Sequence, residues 1–308
     1  MAKLAACLVF ALPAALADVG AGDICVSLNN TGRTAITFDA STLSSISGNG
    51  TQGDWTSVQD EPISSTCSWT FYETETMATW TSGWPVITDS IYQGSNSWGN
   101  APGDNTLTGC NLLYNAQTYT NFIFDAVVSH GDNDGIGFVF GWQNSNDYYQ
   151  AVMINDQWPN PPADGIGGPV MKLKYRNPSL PECTGSMDSS TTCFDTLAYI
   201  DANGVTNDMD MTGLSGDYHT TYADYSESPA TATRIHLVVN DGEARWGWWD
   251  SDDQKWMMTW ASLDSSYAGG MLGFMTYAHQ PLIQDIHITD LDAVDLTANP
   301  CGGHGTCA

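Results

Sequence analysis

The chain has 308 residues, eight Lys and Arg against 35 Asp and Glu, and a formal charge of −27. So acidic a chain lacks the clustered cations that bind phosphate backbones or anionic membrane surfaces, which excludes nucleic acid and membrane surfaces as partners. The length suits one large domain with small appendages, and no run beyond the N-terminus is long and apolar enough to insert in a membrane.

Residues 1–17 read as a secretory signal. Lys3 supplies the positive start, Leu4 to Leu12 the apolar core, and Ala15-Leu16-Ala17 the small-residue cleavage site. A secreted, extracellular location follows, and cysteine usage agrees with it. Cys7 leaves with the signal, so seven cysteines remain. Cys183 and Cys193 flank a short Ser/Thr-rich loop with Gly185 and are expected to form a disulfide. Cys67 with Cys110 would tie the first strands to a neighbour. The pairings of Cys25, Cys67, Cys110, Cys301 and Cys307 otherwise stay open.

Residues 18–65 are rich in Ser, Thr, Gly and Asn and read as an extension or a few edge strands. Asn29 and Asn49 head Asn-x-Thr triplets, glycosylation acceptors in a eukaryotic secretory pathway. From Cys67 the chain turns aromatic and strand-like, with Ser68 to Tyr72 and Trp84 to Thr88 as early strands. Phe122, Phe124, Ala126 and Val128 then alternate on one face. Asp132-Asn133-Asp134-Gly135 is an acidic turn that opens a strand in which Ile136, Phe138, Phe140 and Trp142 alternate with Gly137, Val139 and Gly141. The glycines let another layer or the chain's own backbone approach closely.

The stretch from Gln157 to Asp224 reads as long loops, with Pro159, Pro161, Pro162 and the Cys183–Cys193 clip. Strands return at Arg234 to Asn240, at Ala244 to Trp249 after an Asp241-Gly242 hairpin turn, at Lys255 to Trp260 and at Gln284 to Leu291. No ten-residue window carries a 3.6-residue apolar period. The fold class is therefore all-β, a sandwich of two antiparallel sheets.

Asp132 to Met153, with Gly-Phe-Val-Phe-Gly-Trp-Gln at its centre, resembles the C-terminal globular region of thrombospondins. The likeness extends over residues 66–297, where Gly269 to Met275 is similar to that family's late Gly-Gly-Arg-Leu-Gly-Val strand, with Met271 in place of the Arg. It implies a concanavalin A-like jelly-roll β-sandwich. Residues 298–308 contain Asn299-Pro300-Cys301 and Gly305-Thr306-Cys307, similar to the opening of an EGF-like module. The first cysteine of such a module is missing, so the segment is partial.

Calcium takes six to eight oxygens, which short acidic side chains and carbonyls at a strand end supply. Asp132, Asn133 and Asp134 are accordingly the expected calcium ligands, supported by the family resemblance. A bare solvated turn is the plainer alternative. Of the twelve tryptophans, Trp98 and Trp158 stand in loop contexts and are the candidate sugar-stacking rings. Catalytic residues are not assigned. Glu73-Thr74-Glu75 approaches the spaced carboxylates of sandwich glycosidases but lacks a central Asp and a third acid. The expected function is thus a secreted, calcium-binding, lectin-like module for adhesion, partnered by a glycan or by a matrix or cell-surface protein. A polysaccharide-degrading or -modifying enzyme on the same fold and a structural spacer are the alternatives.

Overall fold

The structure, a computed structural model, describes residues 33–38, 43–60, 63–75, 87–97, 109–129, 134–154, 170–183, 192–201, 232–250 and 255–293. Among the described residues every regular element is a strand. In chain order these are β1 (Arg33–Ala35), β2 (Ser45–Ser47), β3 (Gly50–Gln52), β4 (Trp55–Gln59), β5 (Ser68–Glu75), β6 (Ile87–Gln93), β7 (Cys110–Tyr119), β8 (Phe122–Ser129) and β9 (Gly135–Asn144). There follow β10 (Asp147–Ile154), β11 (Val170–Arg176), β12 (Asp195–Asp201), β13 (Ala232–Asn240), β14 (Glu243–Asp250), β15 (Lys255–Ser262), β16 (Gly270–Tyr277) and β17 (Leu282–Asp290).

They form a nine-stranded sheet, β15-β14-β13-β8-β17-β6-β5-β2 with β1 added on β17, and an eight-stranded sheet, β12-β11-β10-β9-β16-β7-β4-β3. All pairings are antiparallel. The late strands β16 and β17 insert between early ones, one in each layer, as in a jelly roll. Residues 33–59 supply β2, β3 and β4 at the margins of the two sheets and β1 on the interior strand β17.

Period-two alternation turns one row of side chains from each sheet into a common core. Phe122, Phe124, Ile235, Leu237 and Trp246 come from one layer, and Phe138, Phe140 and Phe274 from the other, all fully buried. The sheets meet where the Phe124 ring lies 4.7 Å from Phe138 and 4.9 Å from Phe274. Each such ring contributes about 1.5–3 kcal/mol by leaving water. Asp241 and Gly242, at φ 51° and 77°, make the tight turn between β13 and β14. Positive φ at both centres suits the right-handed twist of the strands it joins.

Two disulfides are present, Cys67–Cys110 and Cys183–Cys193. The first ties the start of β5 in one sheet to the start of β7 in the other. The second closes a loop beside β12.

Three features correct or sharpen the sequence reading. The stretch expected as loops from Gln157 to Asp224 contains β11 and β12, and in β11 Met171 to Arg176 alternates apolar and cationic residues. Trp142 does not share the core face of Phe140. Gly141, at φ 60°, bulges the strand and shifts its register against β16, so Trp142 points outward. At Gly137 the space of a Cβ is taken by the Ala151 carbonyl, with Val152 Cα 2.8 Å away. Here the chain's own backbone makes the close approach.

Candidate functional site

The outer face of the eight-stranded sheet carries a second buried cluster, built from Leu113, Val139, Trp142, Tyr148, Val152 and Phe194 among others. Polar groups are embedded in it. On β10, Tyr148 and Gln150 face outward, opposite in parity to Tyr149 and Ala151, which face the core. On β11, Lys172, Lys174 and Arg176 face the same way, at 2%, 0% and 1% exposure. The antiparallel register sets Tyr148 against Arg176, Gln150 against Lys174 and Val152 against Lys172.

Local structure fixes each group. The β9–β10 turn is held by Asn146 N donating to Asn144 Oδ1 at 2.9 Å. Arg176 donates to Asn146 Oδ1 at 3.0 Å and to the Cys193 carbonyl at 2.6 Å, which joins turn, strand and disulfide clip. Phe194, next to the clip, lies under Lys174 Nζ at 4.0 Å from its ring centre. Trp142 stacks on Tyr148 with ring centres 4.3 Å apart.

Asp60 enters this cluster from the end of β4. Its Oδ2 accepts hydrogen bonds from Tyr148 Oη at 2.5 Å and Asn111 Nδ2 at 2.7 Å. Burial raises its pKa from 3.8 to about 6, against the opposing pull of those two hydrogen bonds and of the Arg176 and Lys174 charges. Tyr148 is pushed well above the ordinary phenol value by burial first and the Asp60 charge second. Burial lowers Arg176, while Tyr148, Asp60 and Glu182 work the other way. Gln150 is fully buried, and neither its amide nitrogen nor its oxygen has a hydrogen-bond partner among the described residues. A buried amide left this way is costly, so it marks a place where a hydrogen-bonding group is wanted.

The sequence assigned none of these residues to a ligand site, although Trp142, Tyr148 and Gln150 lie in the Asp132 to Met153 motif. The legible signal was Lys172, Lys174 and Arg176 at alternate positions in a chain with only eight basic residues. The expected sites fare differently. Asp134 is half-buried at the mouth of β9, while Asp132 and Asn133 lie outside the described residues. Trp98, Trp158 and Asn29 also lie outside them. Asn49 is exposed, and its Oδ1 accepts from Gln59 N at 2.7 Å.

A second polar feature is a cleft of about 230 Å3 in the nine-stranded sheet, where β17 leaves β6 after Ile283 and takes up β1 at His287. Asp89 and Asp285 line it, both at positive φ. Asp89 Oδ1 accepts from Phe38 N at 2.8 Å, and Asp285 faces Arg234 at 3.7 Å. Asp89 thereby holds the chain just after β1.

No known family profile matches the chain, and no curated protein matches it. Solved structures do. The exoplasmic/lumenal domain of VIP36, in its Ca2+- and Man3GlcNAc-bound form, is 12% identical with a TM-score of 0.39, over 72% of this chain and 84% of that one. Its Ca2+- and mannose-bound form is 11% identical at a TM-score of 0.41, over 75% and 87%. The GH43 protein BlXynB from Bacillus licheniformis is 9% identical at 0.31, over 73% of this chain but only 33% of its own. These are distant likenesses of shape and carry no argument about function. The chain is an all-β jelly-roll sandwich of two antiparallel sheets.

Proposed function

We propose that the chain is a secreted glycan-recognising jelly-roll module whose ligand is held at the outer face of the eight-stranded sheet. The observation that carries this is the buried Gln150 amide, without a hydrogen-bond partner among the described residues, set beside the stacked Trp142 and Tyr148 rings. Aromatic faces next to unspent amide donors and acceptors are the combination a sugar uses, apolar on its C–H side and hydroxylated at its rim. Secretion rests on residues 1–17. The thrombospondin-like assignment rests on Asp132 to Met153, and the partial EGF-like one on Asn299 to Cys307. Calcium at Asp132, Asn133 and Asp134 belongs to the same reading and would brace the turn that opens β9. Adhesion to a matrix or cell-surface protein through its glycans is the corresponding role.

A glycan array run with calcium and with chelator tests this. Selective binding that Gln150→Leu abolishes supports it, and an array with no binding in either condition overturns it.

A second reading has one observation in its favour. Asp60, at about 6, is a carboxyl poised for proton transfer near neutral pH and hydrogen-bonded to Tyr148. A polysaccharide-acting enzyme would use such a group. Release of reducing ends by the intact protein, lost in Asp60→Asn, would favour it over binding alone.

A further inference from the structure

Resting on the secretion reading of residues 1–17, we propose that Asn49 carries an N-linked glycan, and that this glycan covers the margin where both sheets end.

The triplet is the first argument. Asn49-Gly50-Thr51 supplies the amide nitrogen to be modified and a hydroxyl two residues on, with no proline between them. Such triplets arise often by chance, so the folded surroundings decide. Asn49 lies in the turn from β2 to β3, and both Asn49 and Thr51 are exposed. Gly48, at φ 67°, lets the chain reverse there.

Hydrogen bonding is the second. Asn49 Oδ1 accepts from Gln59 N at 2.7 Å, while Asn49 Nδ2 has no hydrogen-bond partner among the described residues. The amide is planar, so an oxygen anchored to the end of β4 holds the nitrogen on the other side. Glycan attachment replaces one of the two N–H hydrogens and leaves the oxygen's bond intact. The folded chain therefore accepts the modification without losing this contact.

Chain order is the third. In the fold Thr51 Oγ1 is spent on Thr56 Oγ1 at 3.0 Å, and Gly50 and Thr51 pair with Ser57 and Thr56. These partners, like Gln59, all lie C-terminal to the triplet. A chain entering the secretory pathway from its N-terminus presents the triplet before β4 is there to pair with it. The transfer needs no oxidant or reductant. Asn49 Nδ2 attacks the first sugar carbon of a polyprenyl-pyrophosphate-linked oligosaccharide. The bond from that carbon to the pyrophosphate oxygen breaks, the lipid pyrophosphate leaves, and the nitrogen gives up one proton.

Position gives the glycan its role. β2 is the last strand of the nine-stranded sheet, β3 is the last of the eight-stranded one, and the two are in contact. Asn49 stands in the short link between them. One bulky, hydrated chain rooted there reaches the backbone amides and carbonyls at the outer edges of both terminal strands, where another chain would otherwise add.

The test is expression of the full chain, residues 1–17 included, in a eukaryotic secretory host. Peptides of the secreted protein are then analysed by mass spectrometry before and after peptide N-glycosidase. An oligosaccharide on the Asn49 peptide, released to leave aspartate, is expected. Thr51→Ser keeps the triplet and should keep the glycan. Thr51→Val and Asn49→Asp should lose it, the latter preserving an oxygen for Gln59 N. Both bare variants should gain light scattering on incubation faster than the unaltered protein. A secreted protein with a bare Asn49 peptide, or with its glycan on Asn29 alone, overturns the proposal and leaves secretion standing. A chain kept in the cytosol with residues 1–17 attached overturns both. Equal scattering by glycosylated and bare forms overturns the covering role. The peptide masses come from the unaltered protein, so they decide even where a variant fails to fold.

Discussion

Tyr148 donates its hydroxyl to Asp60 Oδ2 at 2.5 Å, across 88 residues of chain, and so fastens the end of β4 to β10 within a buried cluster. The bond carries a pH signature. Asp60 rises from 3.8 to about 6 on folding, chiefly by burial. For a carboxyl raised in this way, the folded state holds its proton more tightly than the unfolded chain does. Its stabilising contribution is complete below about pH 4 and is lost as pH climbs through about 6. The gap amounts to about 3 kcal/mol. Asp60→Asn keeps an oxygen for Tyr148 and Asn111 but cannot ionise. Urea midpoints of wild type and Asp60→Asn at pH 4, 5.5 and 7.5 should diverge, the variant gaining up to about 3 kcal/mol relative to wild type by pH 7.5. A constant difference across the three pH values would mean that Asp60 ionises like an exposed aspartate.

The two disulfides should differ in worth. Cys67–Cys110 bridges 43 residues, joins the two sheets and is fully buried at both ends, whereas Cys183–Cys193 bridges ten. Loop-closure entropy gives about 4 kcal/mol for the first and about 3 kcal/mol for the second. Paired Cys→Ala replacements, followed by denaturant titration, should therefore rank the 67/110 pair as the more destabilising. The 183/193 pair should instead weaken glycan binding more, because Cys193 holds Arg176 through its carbonyl.

Backbone packing at Gly137 admits a sharp comparison. Gly137→Ala sets a methyl into the Ala151 carbonyl, so strands β9 and β10 must part. A loss above about 2 kcal/mol is expected, in the range of overpacking. Gly242→Ala meets no atom within 4 Å and suffers only from its φ of 77°. About 1–2 kcal/mol is expected there. Thermal unfolding of both variants checks the order, and Gly137→Ala at wild-type stability would show that the two strands separate without cost.

Calcium at the acidic turn predicts a ligand-dependent midpoint. At a hundredfold excess over its Kd the ion should add about 2.7 kcal/mol. Magnesium should add less, since it dehydrates reluctantly and demands a stricter octahedron. Asp134→Ala should remove most of the response, and Asp188→Ala, between the clip cysteines, should not. Differential scanning calorimetry with calcium, magnesium or chelator at fixed ionic strength decides the matter. Equal midpoints in all three would leave Asp132 to Gly135 as a plain solvated turn.

What could be read from the chain was what is local. Phe138, Phe140, Ile235, Leu237, Val239 and Phe274 announce their burial by alternation, and all are at 0% exposure. Asp241-Gly242 announces its turn by the two residues that tolerate positive φ there. Trp142 was misread because a single bulge at Gly141 reverses the parity of everything after it. The site was hidden for a different reason. The partners of Asp60 lie 51 and 88 residues away, so nothing near it in the chain marks it as buried. β11 was hidden between Pro-rich and Gly-rich neighbours.

The margins of the sandwich have a bearing on how the protein behaves in a crowded solution. A free sheet edge is a row of unspent amides and carbonyls that templates the addition of another chain. Here β15 and β12, the last strands of their respective sheets, close against each other on one side. On the opposite side the sheets end in β2 and β3, three residues each and in mutual contact. Among the described residues the sandwich thus has one margin where the two layers touch and one that ends in three-residue strands, and the −27 charge keeps neighbouring molecules apart. Short terminal strands and high charge both act against the edge-to-edge addition by which β-rich chains grow fibrils.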